Sequence, residues 1–126
     1  MEPVNLRLST LGKTWILDLD GTLVIHNGYQ TGEDEFLPGA KEFLRAIPTD
    51  DYVMILTARE KEAREQTERF LRGHGVRYDL ILFEMPMGER ILFNDSKPSG
   101  LRMSYAVECD RNEGLERLEV LIDPSL

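Results

Sequence analysis

The sequence predicts an α/β fold of three layers with a mostly parallel central sheet, and three observations carry that prediction. Apolar runs at residues 15–19, 52–56, 78–83 and 90–94 have the length and the β-branched or aromatic content of buried strands. Stretches with helical spacing separate the first run from the second and the second from the third, which implies parallel strands joined by helical crossovers. Polar residues stand where three runs stop: Asp18 with Asp20, Thr57, and Asp95. Ligands in open parallel sheets gather beyond the carboxyl ends of the strands, so these residues are expected to converge.

Taken in order, residues 1–13 alternate weakly through Val4, Leu6 and Leu8, enough for an edge strand or an ordered lead-in. The near-continuous run at 15–19 predicts a strand buried on both faces, in the middle of a sheet. Residues 24–36 are polar, with Asn27-Gly28 and Thr31-Gly32 as turn signals, and predict a loop or small hairpin. Leu37-Pro38-Gly39-Ala40 opens a helix with Pro38 in its first turn, and Ala40, Phe43, Leu44 and Ile47 supply its apolar stripe. Residues 52–56 form the second strand. A helix follows over 60–72, with Ala63, Thr67, Phe70 and Leu71 on one side, and Gly73 and Gly75 close it. The third strand spans 78–83, Met85-Pro86-Met87-Gly88 forms a loop, and a fourth strand at 90–94 runs into Asp95. Residues 104–109 predict a fifth, while 115–122 fits a strand or a short helix equally well.

A length of 126 residues suits a single domain, 1–126. The apolar fraction of 41% and charged fraction of 30% are those of a globular protein. A net charge of −8 argues against nucleic acid as a partner, because a general binder needs a basic face to neutralise phosphates. The lone Cys109 has no partner for an internal disulfide and reads as a small buried residue. No stretch is apolar for long enough to span a bilayer and no signal-peptide pattern opens the chain, so the expectation is no membrane and a cytoplasmic location.

The chemistry-bearing stretch is Asp18-Leu19-Asp20-Gly21-Thr22-Leu23. Two carboxylates so close repel unless a cation or proton lies between them, and their place at a strand end suits a hard-cation site. This stretch resembles the first motif of the haloacid dehalogenase-like (HAD) superfamily. Ile55-Leu56-Thr57-Ala58-Arg59 resembles its second motif and Phe93-Asn94-Asp95 its fourth, in the right order across residues 15–97. The resemblance implies a Rossmann-like, HAD-like fold and an Mg²⁺-dependent phosphatase working through an aspartyl-phosphate. In it Asp18 is the nucleophile, Asp20 the general acid and base, and Thr57 a donor to the phosphoryl group. Gly21, Thr22, Thr57, Ala58 and Arg59 are the implied substrate contacts, and Asp18, Asp20 (through its carbonyl) and Asp95 the implied metal ligands. The third-motif lysine has no counterpart in its usual place. Lys97 is the first candidate for that basic role, ahead of Lys61 and Arg90.

Both intervals between motifs are too short for a cap domain, leaving residues 24–36 as the one flap. An uncapped site admits a small phosphorylated metabolite such as a sugar phosphate, which so small a chain favours, a phosphoprotein, or a nucleic-acid end, which the acidic charge disfavours. A second subunit could roof it in a homo-oligomer. Two rival readings share the residues: a receiver-like phospho-switch, and an impaired HAD-like scaffold that keeps the site without turnover. Simpler roles also exist for single residues. Thr57 suits a helix cap and Asp95 a turn cap, and His26 and His74 carry no assigned role.

Overall fold

The computed structural model describes residues 2–126; Met1 lies outside the described residues. β1 (Val4–Leu8) and β5 (Leu118–Ile122) form a parallel pair, so the weak alternation at the start and the ambiguous tail both resolve as strands. β2 (Thr14–Asp18), β3 (Tyr52–Leu56) and β4 (Leu80–Leu82) form a second parallel sheet in that order. α1 (Ala40–Ala46) crosses from β2 to β3, and α2 (Arg64–Gly73), preceded by a 3₁₀ turn at Lys61–Ala63, crosses from β3 to β4. This is the expected class: α/β, parallel, Rossmann-like, with open sheets and no cap.

The pleat sends alternate side chains to opposite faces. Paired Trp15 and Val53, Leu17 and Ile55, and Ile55 and Ile81 therefore share one face. Val53, Ile55 and Ile81 are buried there with Ala40 and Leu44 of α1 and Leu71 of α2, while Trp15 packs its ring edge-on against Phe43 at 5.6 Å. Arg45 of α1 donates to the His74 carbonyl just beyond α2 (2.6 Å), so the two helices lie together on that face, as right-handed crossovers in one direction require.

The expectation that β2 is central and covered on both faces is corrected. β2 is an edge strand, and Ile16 on its other face is 50% exposed. The predicted strands at 90–94 and 104–109 are corrected too. Residues 83–117 hold no strand, and Ile91, Leu92 and Phe93 are exposed. Three apolar residues between Gly88 and Pro98 satisfy the pattern of a strand, but β-propensity is realised only where a neighbouring strand takes up the backbone bonds. Pro38 is the remaining correction: α1 begins two residues later, after Gly39 at φ +79. The Pro38 carbonyl instead accepts the Leu115 N–H (2.8 Å), at a contact where a Cβ on Gly114 would collide with that same oxygen.

Candidate active site

The turn after β2 is built on one carbonyl. Leu19 O accepts the N–H groups of Thr22 (3.3 Å), Leu23 (2.9 Å) and Val24 (3.1 Å), which reverses the chain within five residues. Gly21 sits in that turn at φ +85, a conformation that favours glycine, and a Cβ there would press on Arg111 Cγ at 3.2 Å. The Asn112 N–H donates to Gly21 O (2.9 Å), and the His26 N–H donates to Asn112 Oδ1 (2.8 Å). The distant 110–112 loop thus braces the turn and the start of the flap.

Asp18 is the last residue of β2 and pairs in register with Leu56, which puts Thr57 one residue beyond it on the adjacent strand end. The Asp18 carboxylate is 42% exposed. Its Oδ2 accepts the Thr22 hydroxyl (3.1 Å) and its Oδ1 accepts Arg90 Nη1 (3.1 Å). An exposed carboxylate oriented by a hydroxyl and a guanidinium suits nucleophilic attack on an anion, since the cation offsets the repulsion between them.

Asp20 has a different cation, Arg59. The Arg59 guanidinium donates Nε–H to Asp20 Oδ2 (3.0 Å) and one Nη2–H to Asp20 Oδ1 (2.9 Å). Its other Nη2–H goes to Asp34 Oδ1 (2.7 Å), and its Nη1 donates to Asp34 Oδ2 (2.9 Å) and Thr67 Oγ1 (2.8 Å). A guanidinium has five N–H donors, and all are used inside the protein. Tyr29 covers the guanidinium face at 3.9 Å. Burial lowers the Arg59 pKa, but the bonds to Asp34 and Asp20 outweigh it and leave the group above the ordinary arginine value. The implied substrate contact by Arg59 is therefore corrected: no N–H remains to reach a substrate.

Thr57 is buried, and its hydroxyl oxygen accepts the Arg59 backbone N–H (3.1 Å), closing the turn after β3 where the sequence suggested a helix cap. That bond leaves the hydroxyl proton to donate. Ala58 is exposed between them. Cys109 is half-buried, and burial pushes its thiol up, away from the thiolate a nucleophile needs.

Asp95 and Lys97 lie exposed in residues 83–117, and no side-chain bond ties either to Asp18, Asp20 or Thr57. The expectation that Asp95 sits at a strand end is corrected, because the strand that was to carry it does not form. Among the three basic candidates, Arg90 is the one on Asp18. If Asp18 is the nucleophile that the resemblance implies, Arg90→Ala lowers phosphomonoester turnover by about 10- to 100-fold while the melting temperature stays nearly constant, because exposed ion pairs contribute little stability. Steady-state rates and a thermal melt on the same preparation check both halves.

The Mg²⁺ expectation meets a mixed donor set. Among the described residues no three His, Cys, Asp or Glu converge. Asp18 offers a carboxylate, and the Asp20 carbonyl two residues on accepts no backbone hydrogen bond. Those two groups fit a cation that retains several waters and binds through one or two protein oxygens plus a substrate phosphate.

Three contributors are not legible in the sequence. Asp34 lies within a polar Gly-Glu-Asp-Glu run, where only its spacing of two from Phe36 sets it on a definite side. Asn112 and Arg111 had no local signal, being brought in by long-range contact.

No family model matches the chain, and no curated relative does. Two solved structures are similar to it, both at a TM-score of 0.51 and 35% identity. One is described as a Pnkp1/Rnl/Hen1 complex, where the match covers 65% of this chain and 31% of the other. The second is described as the Pnkp1/Rnl/Hen1 RNA repair complex, with 64% and 28% covered. This chain thus spans about a third of those relatives and is similar to that part of them, over about two thirds of its own length.

Proposed function

We propose that this chain is a phosphoesterase that removes a terminal phosphate from a nucleic-acid end. The observation that carries the reading is the exposed Asp18 carboxylate at the end of β2, held between the Thr22 hydroxyl and the Arg90 guanidinium. The likeness to chains of an RNA repair complex supports a nucleic-acid end over a small metabolite as substrate. The acidic net charge weighs against a wide basic groove, but removing an end phosphate needs only the terminus at the site. Arg90 beside Asp18 and Arg111 beside Gly21 place positive charge at that mouth. With no cap domain, a strand end can approach.

In this reading an Asp18 oxygen attacks phosphorus, the bond from phosphorus to the leaving oxygen breaks, and Asp20 gives that oxygen a proton. Water then attacks the aspartyl-phosphate, Asp20 takes the water's proton, and the Asp18 carboxylate and inorganic phosphate are released. Each Asp20 oxygen accepts one N–H from Arg59, which leaves a lone pair on each for that proton. Asp18 and the Asp20 carbonyl would hold Mg²⁺, which supplies charge neutralisation to the phosphoryl group when bound.

The test compares kcat/KM on short DNA and RNA strands bearing a 3′- or 5′-phosphate with that on a panel of sugar phosphates, all with Mg²⁺. At least about a tenfold preference for a strand end is expected, the scale of one charge-assisted contact. A preference for a metabolite would remove the nucleic-acid reading, and turnover of neither would remove the phosphoesterase.

A further inference from the structure

The Asp34–Arg59–Asp20 cluster goes beyond what a surface ion pair would need. Arg59 and Asp34 side chains are each 1% exposed, and Asp20 is 15% exposed. The three come from separate parts of the chain: the turn after β2, the flap at 24–36, and the segment between β3 and α2. Asp20 meets Arg59 along the Nε/Nη2 edge, and Asp34 meets it along the Nη1/Nη2 edge. Two adjacent edges of one planar fork are filled, so the plane of Arg59 has a single orientation, and with it the Asp20 carboxylate. Tyr29, also from the flap, closes one face of the guanidinium. Thr67 of α2 takes the last N–H.

We propose that Asp34 is a positioning residue: acting through Arg59, it aims the Asp20 carboxylate at the leaving-group oxygen. The flap that carries Asp34 is itself pinned, since Val24 bridges Phe36 and the Ile25 N–H donates to Glu35 O (3.0 Å). Asp34 therefore stands on a fixed base, and its own carboxylate spends both oxygens on Arg59. An Asn at this place keeps the shape and one acceptor but loses the charge and the second bond, which loosens one of the two edges that fix the Arg59 plane.

The proposal rests on Asp20 acting as general acid, and it makes a prediction that a purely structural role does not share. Proton donation matters for a poor leaving group, such as a nucleotide hydroxyl, and little for a good one, such as p-nitrophenol. The parameter to compare is kcat/KM, which reports the steps up to departure of the leaving group and excludes the later attack of water. Asp34→Asn is expected to lower kcat/KM by about 10- to 100-fold on a phosphorylated oligonucleotide end and by less than about twofold on p-nitrophenyl phosphate. Asp34→Glu, which restores the charge with one extra methylene, is expected to recover part of the loss on the oligonucleotide. Equal losses on both substrates, or no loss on either, would overturn the proposal. If Asp34→Asn does not fold, Thr67→Val removes a single acceptor from Arg59 and should show the same selective loss, smaller in size; an equal loss on both substrates there overturns it as well. Failure of the wild type on both substrates would instead count against the phosphoesterase reading, so the two failures are distinguishable.

Discussion

Asp18→Asn is expected to reduce phosphatase turnover by at least about 10³-fold with the fold intact. In the proposed reaction the Asp18 carboxylate attacks phosphorus directly, whereas a carboxamide carries no charge and is a far poorer nucleophile. Removing a covalent nucleophile commonly costs several powers of ten, with residual rate left to binding and electrostatics. The fold is expected to survive because Asp18 is 42% exposed and its partners are a hydroxyl and a half-exposed arginine: an Asn oxygen can still accept from Arg90, and its NH2 can donate to the Thr22 hydroxyl oxygen. The chemical check is the intermediate. Wild type denatured during turnover should carry a phosphoryl label that hydroxylamine removes, and the variant should carry none. A variant that keeps more than a few per cent of wild-type turnover would remove Asp18 from the nucleophile's role, and with it the receiver-like alternative, which phosphorylates the same kind of residue.

Arg59→Met is expected to be the most destabilising single change in the site. It leaves the Asp20 and Asp34 carboxylates facing one another with no cation and takes away the donor to Thr67. Breaking a buried charge pair by deleting one partner costs about 3–5 kcal/mol. For a chain of this size that corresponds to a fall in melting temperature of roughly 10–20 °C. Arg59→Lys should lie between, because an ammonium keeps the charge but cannot present two edges of a fork. Pairing Arg59→Met with Asp34→Leu should recover part of the loss, since one unpaired carboxylate is removed together with its partner. Calorimetry on the four proteins checks the series. A fall of under about 2 °C for Arg59→Met would mean that the cluster does not bear on stability.

Part of this molecule is written locally in the sequence. β2 and β3 are apolar runs bounded by polar residues, and they form where their pattern ends. The helix through Thr67, Phe70 and Leu71 follows its own apolar side, with Leu71 buried. The small hairpin at 24–36 follows from its turn residues, with Asn27 at φ +58. Asp18 and Thr57 stand at neighbouring strand ends because parallel pairing in register puts the ends of successive strands side by side. That outcome needs only the order of elements and the handedness of the crossovers.

Whether an apolar run becomes a strand was not local. Ile91-Leu92-Phe93 has the composition of Ile16-Leu17 or Ile55-Leu56, yet it pairs with nothing, and Asp95 loses the strand end that would have carried it to Asp18. A strand's bonds belong to its neighbour as much as to itself. The direction of a long polar side chain was equally out of reach. Arg59 stands next to a candidate phosphate contact, and only tertiary structure shows that its five donors are taken by Asp20, Asp34 and Thr67.

By itself, then, the sequence determined a parallel α/β chain without a cap and a carboxylate at the mouth of β2, because periodicity and turn chemistry act over a few residues. Tertiary structure decided that Arg90 is the cation on that carboxylate and that Asp34 reaches Asp20 through Arg59. Those contacts join residues 72, 25 and 39 positions apart, and no local pattern can specify such distances.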